Sequence, residues 1–345
     1  MRTVELVARR TLEVFDRPLP PDPGPGEVMV KLRAVGICGS DLHWYQDYRI
    51  GHTPVTAPLI LGHEPVGEVV AIGRGVTSHR LGDKVAVEPS IVCGQCEFCR
   101  SGRPNNCVKC VFMGGPQHPG FFREFATVPA RNAEHFPEQF THLQAVLIEP
   151  VAVIAHILEL TPVPIGATIV VIGAGPIGLL MALMSKLQGA SHVVIADRVP
   201  HRLRIARQMG IEGAVDTAKE DLATYVKDLT AGRGADIVFD AAAGAGTTDL
   251  GFHAARPGGQ YVLIGIPSDI SLPVDIHTAM NKELSIQTIK RSNHKGHEAI
   301  EWIASGNIPD LMITHVMGIE QTPEAFELVS NYRDGVGKLV IELGM

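Results

Sequence analysis

Positive charge is scarce in this chain: Lys and Arg number 30 against 37 Asp and Glu, a net charge of −7 over 345 residues. A mildly acidic surface excludes general binding to nucleic acid or to an anionic membrane, because both need a basic patch. Aromatic residues make up only 5%, which removes the stacking platforms on which single strands bind. Met1 to Pro18 has no apolar signal core, since Arg2, Glu5, Arg9, Arg10, Glu13, Asp16 and Arg17 are spread along it; a cytoplasmic protein is the expectation. Glycine and proline are plentiful, at 36 and 24, but follow no collagen-like period and no low-complexity block. No internal repeat is visible. What the chain does have is 45% apolar residues, enough for a sizeable core, and a length that predicts about two domains.

Up to about residue 150 the texture is that of a β-rich domain. Short apolar runs, Glu27 to Arg33, Gly67 to Gly73 and Lys84 to Glu88, are separated by Gly and Pro, as in barrels or sandwiches. Val151 to Leu160 then has helical length, with Pro150 suited to a first turn. Beyond it strands and helices alternate: Thr168 to Ile172, Leu179 to Gly189, His192 to Ala196, His201 to Met209, then Ala214-Val215, Ile237 to Phe239, Gln260 to Ile264 and Leu284 to Thr288. That alternation predicts an α/β fold with a doubly wound parallel sheet. The tail from Arg291, with a helix near His297 to Ser305 and a strand Lys338 to Leu343, does not extend the series. The apolar stretch Ala167 to Met184 is broken by Gly173, Gly175, Pro176 and Gly178, so it reads as buried strand, glycine turn and buried helix, not as a membrane span.

That glycine turn carries chemistry. Gly173-Ala-Gly175-Pro176-Ile177-Gly178 follows the G-x-G-x-x-G pattern, and Asp197 ends the next strand nineteen residues after Gly178. Gly173 permits the tight turn, Gly175 lets a pyrophosphate approach the backbone, and Gly178 lets helix and strand pack closely. The helix N-terminus adds free N–H groups and positive potential. A carboxylate at Asp197 accepts from a ribose 2′-hydroxyl and repels a 2′-phosphate, which favours NAD over NADP; Arg198 and Arg202 nearby work the other way. Gly265 and Ile266, just past the run Gln260 to Ile264, are further candidates for cofactor contact.

Five of the six cysteines lie between Cys93 and Cys110. In a reducing compartment such clustering favours metal thiolates over disulfides. Cys93, Cys96, Cys99 and Cys107 supply four soft anionic ligands, which fill a tetrahedral zinc and leave no open position, so the site is structural. Cys110 is read as a small apolar side chain and not as a ligand. A looser set, Cys38 with Ser40 and His43, then His63 and Glu64, with Glu149 far beyond, is weak when taken alone; Glu149 also suits the acidic start of a helix.

Gly62-His63-Glu64, the four-cysteine lobe and the Gly173–Gly178 turn occur in order, and over essentially the whole chain they resemble the zinc-dependent medium-chain alcohol dehydrogenases. Gly36-Ile-Cys38-Gly-Ser40-Asp41 and Leu147-Ile-Glu149-Pro150 look like the sorbitol (polyol) dehydrogenase branch. The resemblance implies a GroES-like catalytic domain at 1–150, completed by 290–345, a Rossmann NAD-binding domain at 151–289, and an active site between them. It implies a catalytic zinc on Cys38, His63 and Glu64, with Glu149 as a ligand or as the holder of the metal-bound water. Ser40 and His43 become a proton relay to solvent, and Arg291 falls where the family binds substrate. Three features depart from sorbitol dehydrogenases: Ser292 after Arg291, Trp44 after His43, and the loop Phe112 to Gly120. Trp44 and Phe112 therefore join Arg291 as expected substrate contacts.

The expected reaction is reversible oxidation of a secondary alcohol in a polyol or sugar alcohol, with hydride passing to NAD. L-threonine 3-dehydrogenase or another secondary-alcohol dehydrogenase is the enzyme alternative, and a non-catalytic nucleotide-binding relative the other one. Lys290, Arg291 and Lys295 leave a phosphorylated sugar alcohol open. A homo-oligomer, dimer or tetramer, is implied by the resemblance alone.

Overall fold

The computed structural model describes residues 1–344, which form two compact units. Met1–Val153, Ser292–Asp334 and the chain from Lys338 onward make the first; Ile154–Arg291 and Gly335–Gly337 make the second.

In the first unit one long strand organises the rest. Glu27–Gly36 pairs with Glu64–Ile72 along one edge, and along the other with Phe125–Pro129 at its start and Lys338–Glu342 at its end. Lys84–Val87 and Ala133–His135 extend the sheet on one side, and Ile313–Gly318 on the other. The expected runs at 27, 67 and 84 all lie in these strands. Alternation buries one face: Val28, Val30, Leu32 and Ala34 are almost fully enclosed while Lys31 and Arg33 keep surface. The tail joins this sheet through two strands, of which Ile313–Gly318 was not expected.

The second unit holds six parallel strands: β1 (Thr168–Ile172), β2 (His192–Asp197), β3 (Gly213–Asp216), β4 (Ala235–Asp240), β5 (Ala255–Leu263) and β6 (Ser285–Thr288). Their order across the sheet is 3-2-1-4-5-6, the doubly wound arrangement in which the direction of winding reverses beside β1. Five helices accompany them: α1 (Pro176–Leu187), α2 (Pro200–Gln208), α3 (Leu222–Leu229), α4 (Thr247–Ala254) and α5 (Ile276–Asn281). Every residue of β1 is buried, which explains its unbroken apolar sequence. Val170, Ile172, Val194, Val238, Phe252 and Tyr261 meet in one core. The apolar stretch at 167 is strand, turn and helix, as read. The helical run His142–Leu160 is long and apolar enough for a membrane, yet 61% of its most apolar 18-residue stretch is buried inside the protein.

Candidate active site

The end of the long strand positions the first metal group. Gly36 lies opposite Glu64 in the sheet, and Cys38 caps the short helix Gly39–Leu42 that follows. A Cβ on Gly36 would run into the Glu64 carboxylate, the Lys338 stem and Val146, so only glycine leaves room for what is packed there. Cys38, His63 and Glu64 each offer a ligand atom, all within 4.8 Å of one another. His63 and Glu64 are almost fully buried.

Asp41 ties this group together. Its carboxylate accepts from the Cys38 N–H at 3.0 Å and from the Gly62 N–H at 3.1 Å, and it lies 3.3 Å from His63 Nδ1. A carboxylate behind Nδ1 turns Nε2 outward, as metal-binding histidines require; Ser40 Oγ lies 3.2 Å from that Nε2. Burial alone would lower the His63 pKa, but the Asp41 carboxylate and the Cys38 thiol outweigh it and hold the ring well above its usual value. Lys338 is buried, donating to Glu64 and, at 3.2 Å, to the Ile37 carbonyl. Burial opposes its charge, and Glu64 with Cys38 overcomes that and raises its pKa.

Glu149 opens the helix Ile148–Leu160 and lies outside the three-residue group, but with Glu64, Glu88 and Glu134 it lines one narrow cavity. Burial pushes its carboxyl up to about 8 against the pull of His63, while Glu64 and Glu88 add to the rise. Carboxylates, a thiol and an imidazole crowded in a poorly solvated place attract a cation. One thiolate, one imidazole and one carboxylate leave a fourth position open, which is the donor set of a catalytic zinc. The Phe112 ring packs on His63 at 5.3 Å, so this expected substrate contact stands beside the metal group. Trp44 is 7% exposed and contributes little surface to any ligand.

The second metal group is closed. Cys93 and Cys107 Sγ lie 3.5 Å apart, Cys96 and Cys99 3.5 Å, and Cys93 and Cys99 4.0 Å. A tetrahedron with Zn–S bonds near 2.3 Å needs sulfurs about 3.8 Å apart, and the lobe meets it. Backbone N–H groups of Cys93 and Lys109 point at Cys107 Sγ, and those of Cys99 and Val108 draw the Cys96 thiol down to about 6. Among the described residues all six cysteines are free of disulfides.

In the second unit Gly173 has φ 95°, and a Cβ on Gly178 would overlap the Gly173 carbonyl oxygen. Around Gly175, the N-cap of α1, a Cβ would meet nothing within 4 Å, so that space is free for a phosphate at the helix N-terminus. Asp197 accepts from the Ala174 N–H at 2.7 Å and the Val199 N–H at 2.8 Å, which holds its carboxylate against the glycine turn. Arg202 approaches Asp197 at 3.9 Å, whereas Arg198 is exposed. Gly265 packs on Ala243, and Gly173 on Ala242, so both glycines border the same turn after β4. Ile266 next to it is 38% exposed. Arg291 belongs to this unit and adopts φ 58°.

Three site residues escaped the sequence reading. Asp41 stood in the motif without a role. Lys338 gave no signal, since an isolated lysine starting a strand reads as surface. Asp240, ending β4, accepts from the Ala242 and Ala243 N–H groups, Thr247 and Tyr261, and so builds the turn beside Gly173; an acid ending a buried strand was the available signal.

A doubly wound sheet with a phosphate-ready glycine turn, in one chain with an open and a closed metal group, defines a metal-dependent dehydrogenase. Residues 24–138 match the alcohol dehydrogenase GroES-like domain family, and residues 176–305 the zinc-binding dehydrogenase family. Sorbitol dehydrogenase of Bacillus subtilis (strain 168) is 34% identical over 337 residues, 97% of this chain and 96% of that protein. A probable D-xylulose reductase A of Aspergillus terreus is 36% identical over 322 residues, 91% of this chain and 90% of that one. Among solved structures, a short chain alcohol dehydrogenase from E. coli CFT073, complexed with NADH, superposes with a TM-score of 0.90 at 31% identity, covering 99% of each chain. The chain belongs to the zinc-dependent medium-chain alcohol dehydrogenases, in their polyol dehydrogenase branch.

Proposed function

We propose that the protein catalyses the reversible oxidation of a secondary alcohol in a polyol or sugar alcohol, giving a ketose or ketone and reducing NAD. The observation that carries this reading is the convergence of Cys38, His63 and Glu64 within 4.8 Å, in a chain that also holds a dinucleotide turn. These three hold the catalytic zinc, with Glu149 beside them as a ligand or as holder of a water. Cys93, Cys96, Cys99 and Cys107 hold the structural zinc. Gly173 to Gly178, Asp197, Gly265 and Ile266 take the cofactor, with Arg198 and Arg202 flanking Asp197. When bound, zinc supplies Lewis acidity toward the alcohol and the nicotinamide a hydride acceptor. Ser40 takes up the hydroxyl proton and His43 delivers it to water. Asp197 accepts from ribose hydroxyls and rejects a 2′-phosphate, which makes NAD the coenzyme. Phe112 and Arg291 form the substrate contacts; the burial of Trp44 leaves it, against expectation, behind the site wall and not at the substrate.

In this reading 1–150 with 290–345 is the catalytic domain and 151–289 the cofactor domain; the compact units follow nearly the same divisions. The protein works in the reducing cytosol, which suits six cysteines outside any disulfide. It assembles as a homo-oligomer. Support for this comes from β6, an edge strand exposed along its whole length, with Ile286 on it and Ile276 and Met280 on α5 about half exposed or more. Such an edge suits antiparallel pairing with a second copy.

Replacing Cys38 tests the reaction. Cys38→Ser is expected to abolish NAD reduction while leaving NADH binding intact by fluorescence titration; unchanged turnover would remove the zinc assignment. A panel of sorbitol, xylitol, erythritol and L-threonine, each with NAD and NADP, identifies the substrate. Turnover of threonine alone would move the assignment to threonine dehydrogenase.

A further inference from the structure

We propose that Asp47 is a positioning residue of the proton path, holding the His43 ring in the one tautomer that can take up the alcohol proton at Nε2. The proposal rests on the dehydrogenase reading above. His43–Asp47 is a single π-helical turn, directly after the short helix Gly39–Leu42. Such turns are rare and collect at functional sites. This one brings His43 Nδ1 to 2.8 Å from Asp47 Oδ2. An ionised carboxylate only accepts, so Nδ1 carries the hydrogen and the neutral ring keeps its lone pair on Nε2.

The pair is not a loose surface contact. Trp44 and Tyr45, between its members, are buried. Tyr45 donates to Glu327 at 2.6 Å and packs edge-on to Phe326 at 5.2 Å. The Arg10 N–H donates to the Tyr45 carbonyl at 2.9 Å, and the Arg9 guanidinium to the Gln46 carbonyl at 2.5 Å. Tyr48, with φ 58°, ends the turn. Both side chains keep some surface, 20% for His43 and 26% for Asp47, so the ring reaches solvent while its other nitrogen is held. A proton passed on as Ser40 takes up the one leaving the alcohol binds the Nε2 lone pair, Asp47 stabilises the imidazolium, and Nε2 then releases that proton to water; no electrons change hands in this step.

The test combines kinetics with ring spectroscopy on the full-length protein. Asp47→Asn is expected to lower kcat for polyol oxidation about 10- to 100-fold, on the scale of losing the carboxylate partner of a metal-binding histidine, with KM for polyol and NADH affinity unchanged. Asp47→Glu restores part of the rate. In 15N NMR the neutral His43 ring shows the Nδ1–H form in the parent and loses it in Asp47→Asn. His43→Ala separates the two claims: if it costs turnover and Asp47→Asn does not, the Asp47 role is overturned and the dehydrogenase reading stands. If no substrate in the panel is oxidised, the reading above fails, while the ring tautomer still tests what Asp47 does. A parent ring in the Nε2–H form overturns the proposal.

Discussion

Lys338 is a charged side chain enclosed by protein, and an ammonium in that position persists only against an opposite charge. Glu64 supplies it. The pair has a chemical consequence as well: one carboxylate oxygen is engaged by Lys338, and the other remains for a metal. In the metal-free protein, changing Lys338 to Met, a side chain of similar length, leaves Glu64 buried without its counter-charge. Lys338→Met is therefore expected to cost about 3–5 kcal/mol of stability, the usual penalty for breaking a buried pair. Thermal melts of Lys338→Met, Glu64→Gln and the double variant check this: the double variant should lose clearly less than the sum of the two singles. Simple additivity would mean that the two side chains are not coupled.

At the scale of elements the glycine turn separates packing from binding. Gly178 is crowded, since a Cβ there overlaps the Gly173 carbonyl oxygen, whereas a Cβ on Gly175 points into open space. Gly178→Ala is expected to shift α1 off β1, at about 1–3 kcal/mol for overpacking, and to weaken NADH binding with it. Gly175→Ala should leave the melting temperature where it is and still lower NADH affinity at least tenfold, about 1.4 kcal/mol. Equal affinity in Gly175→Ala and the parent would remove the pyrophosphate from that turn. This contrast was legible in the sequence because the turn is local: strand, three glycines and helix are contiguous, and each residue type answers to one steric demand. The four-cysteine lobe was legible for the same reason. The first metal group was legible only through the family resemblance and not from spacing, since Cys38, His63 and Lys338 meet through strand pairing across most of the chain, and residue spacing carries no record of which strands pair. Ile313–Gly318 went unseen because its burial alternates weakly at a sheet edge.

For the molecule as a whole, the two metal groups answer to different parts of the free energy. The lobe from Cys93 to Cys107 contains only the short helix Glu97–Arg100 and the turn Pro104–Asn106, and Asn105 and Cys107 are its only buried residues. A segment with so little apolar burial lacks the means to hold its own shape, so its order is expected to depend on the proposed zinc. The Cys38 group is the reverse case: two sheet strands, Asp41 and Lys338 hold it in place. Metal analysis of the protein as isolated should find two zinc ions per chain. Mild chelation is expected to strip the open site first, ending activity while the melting temperature stays nearly constant. Forcing out the second ion should then expose the amides of residues 93–107 to hydrogen exchange while the sheets of both units stay protected. If the lobe kept its protection after losing zinc, its order would have to come from its protein contacts, the Asn293 bond to the Gly102 carbonyl and the Arg131 bond to the Val92 carbonyl, and the closed group would be dispensable to the fold.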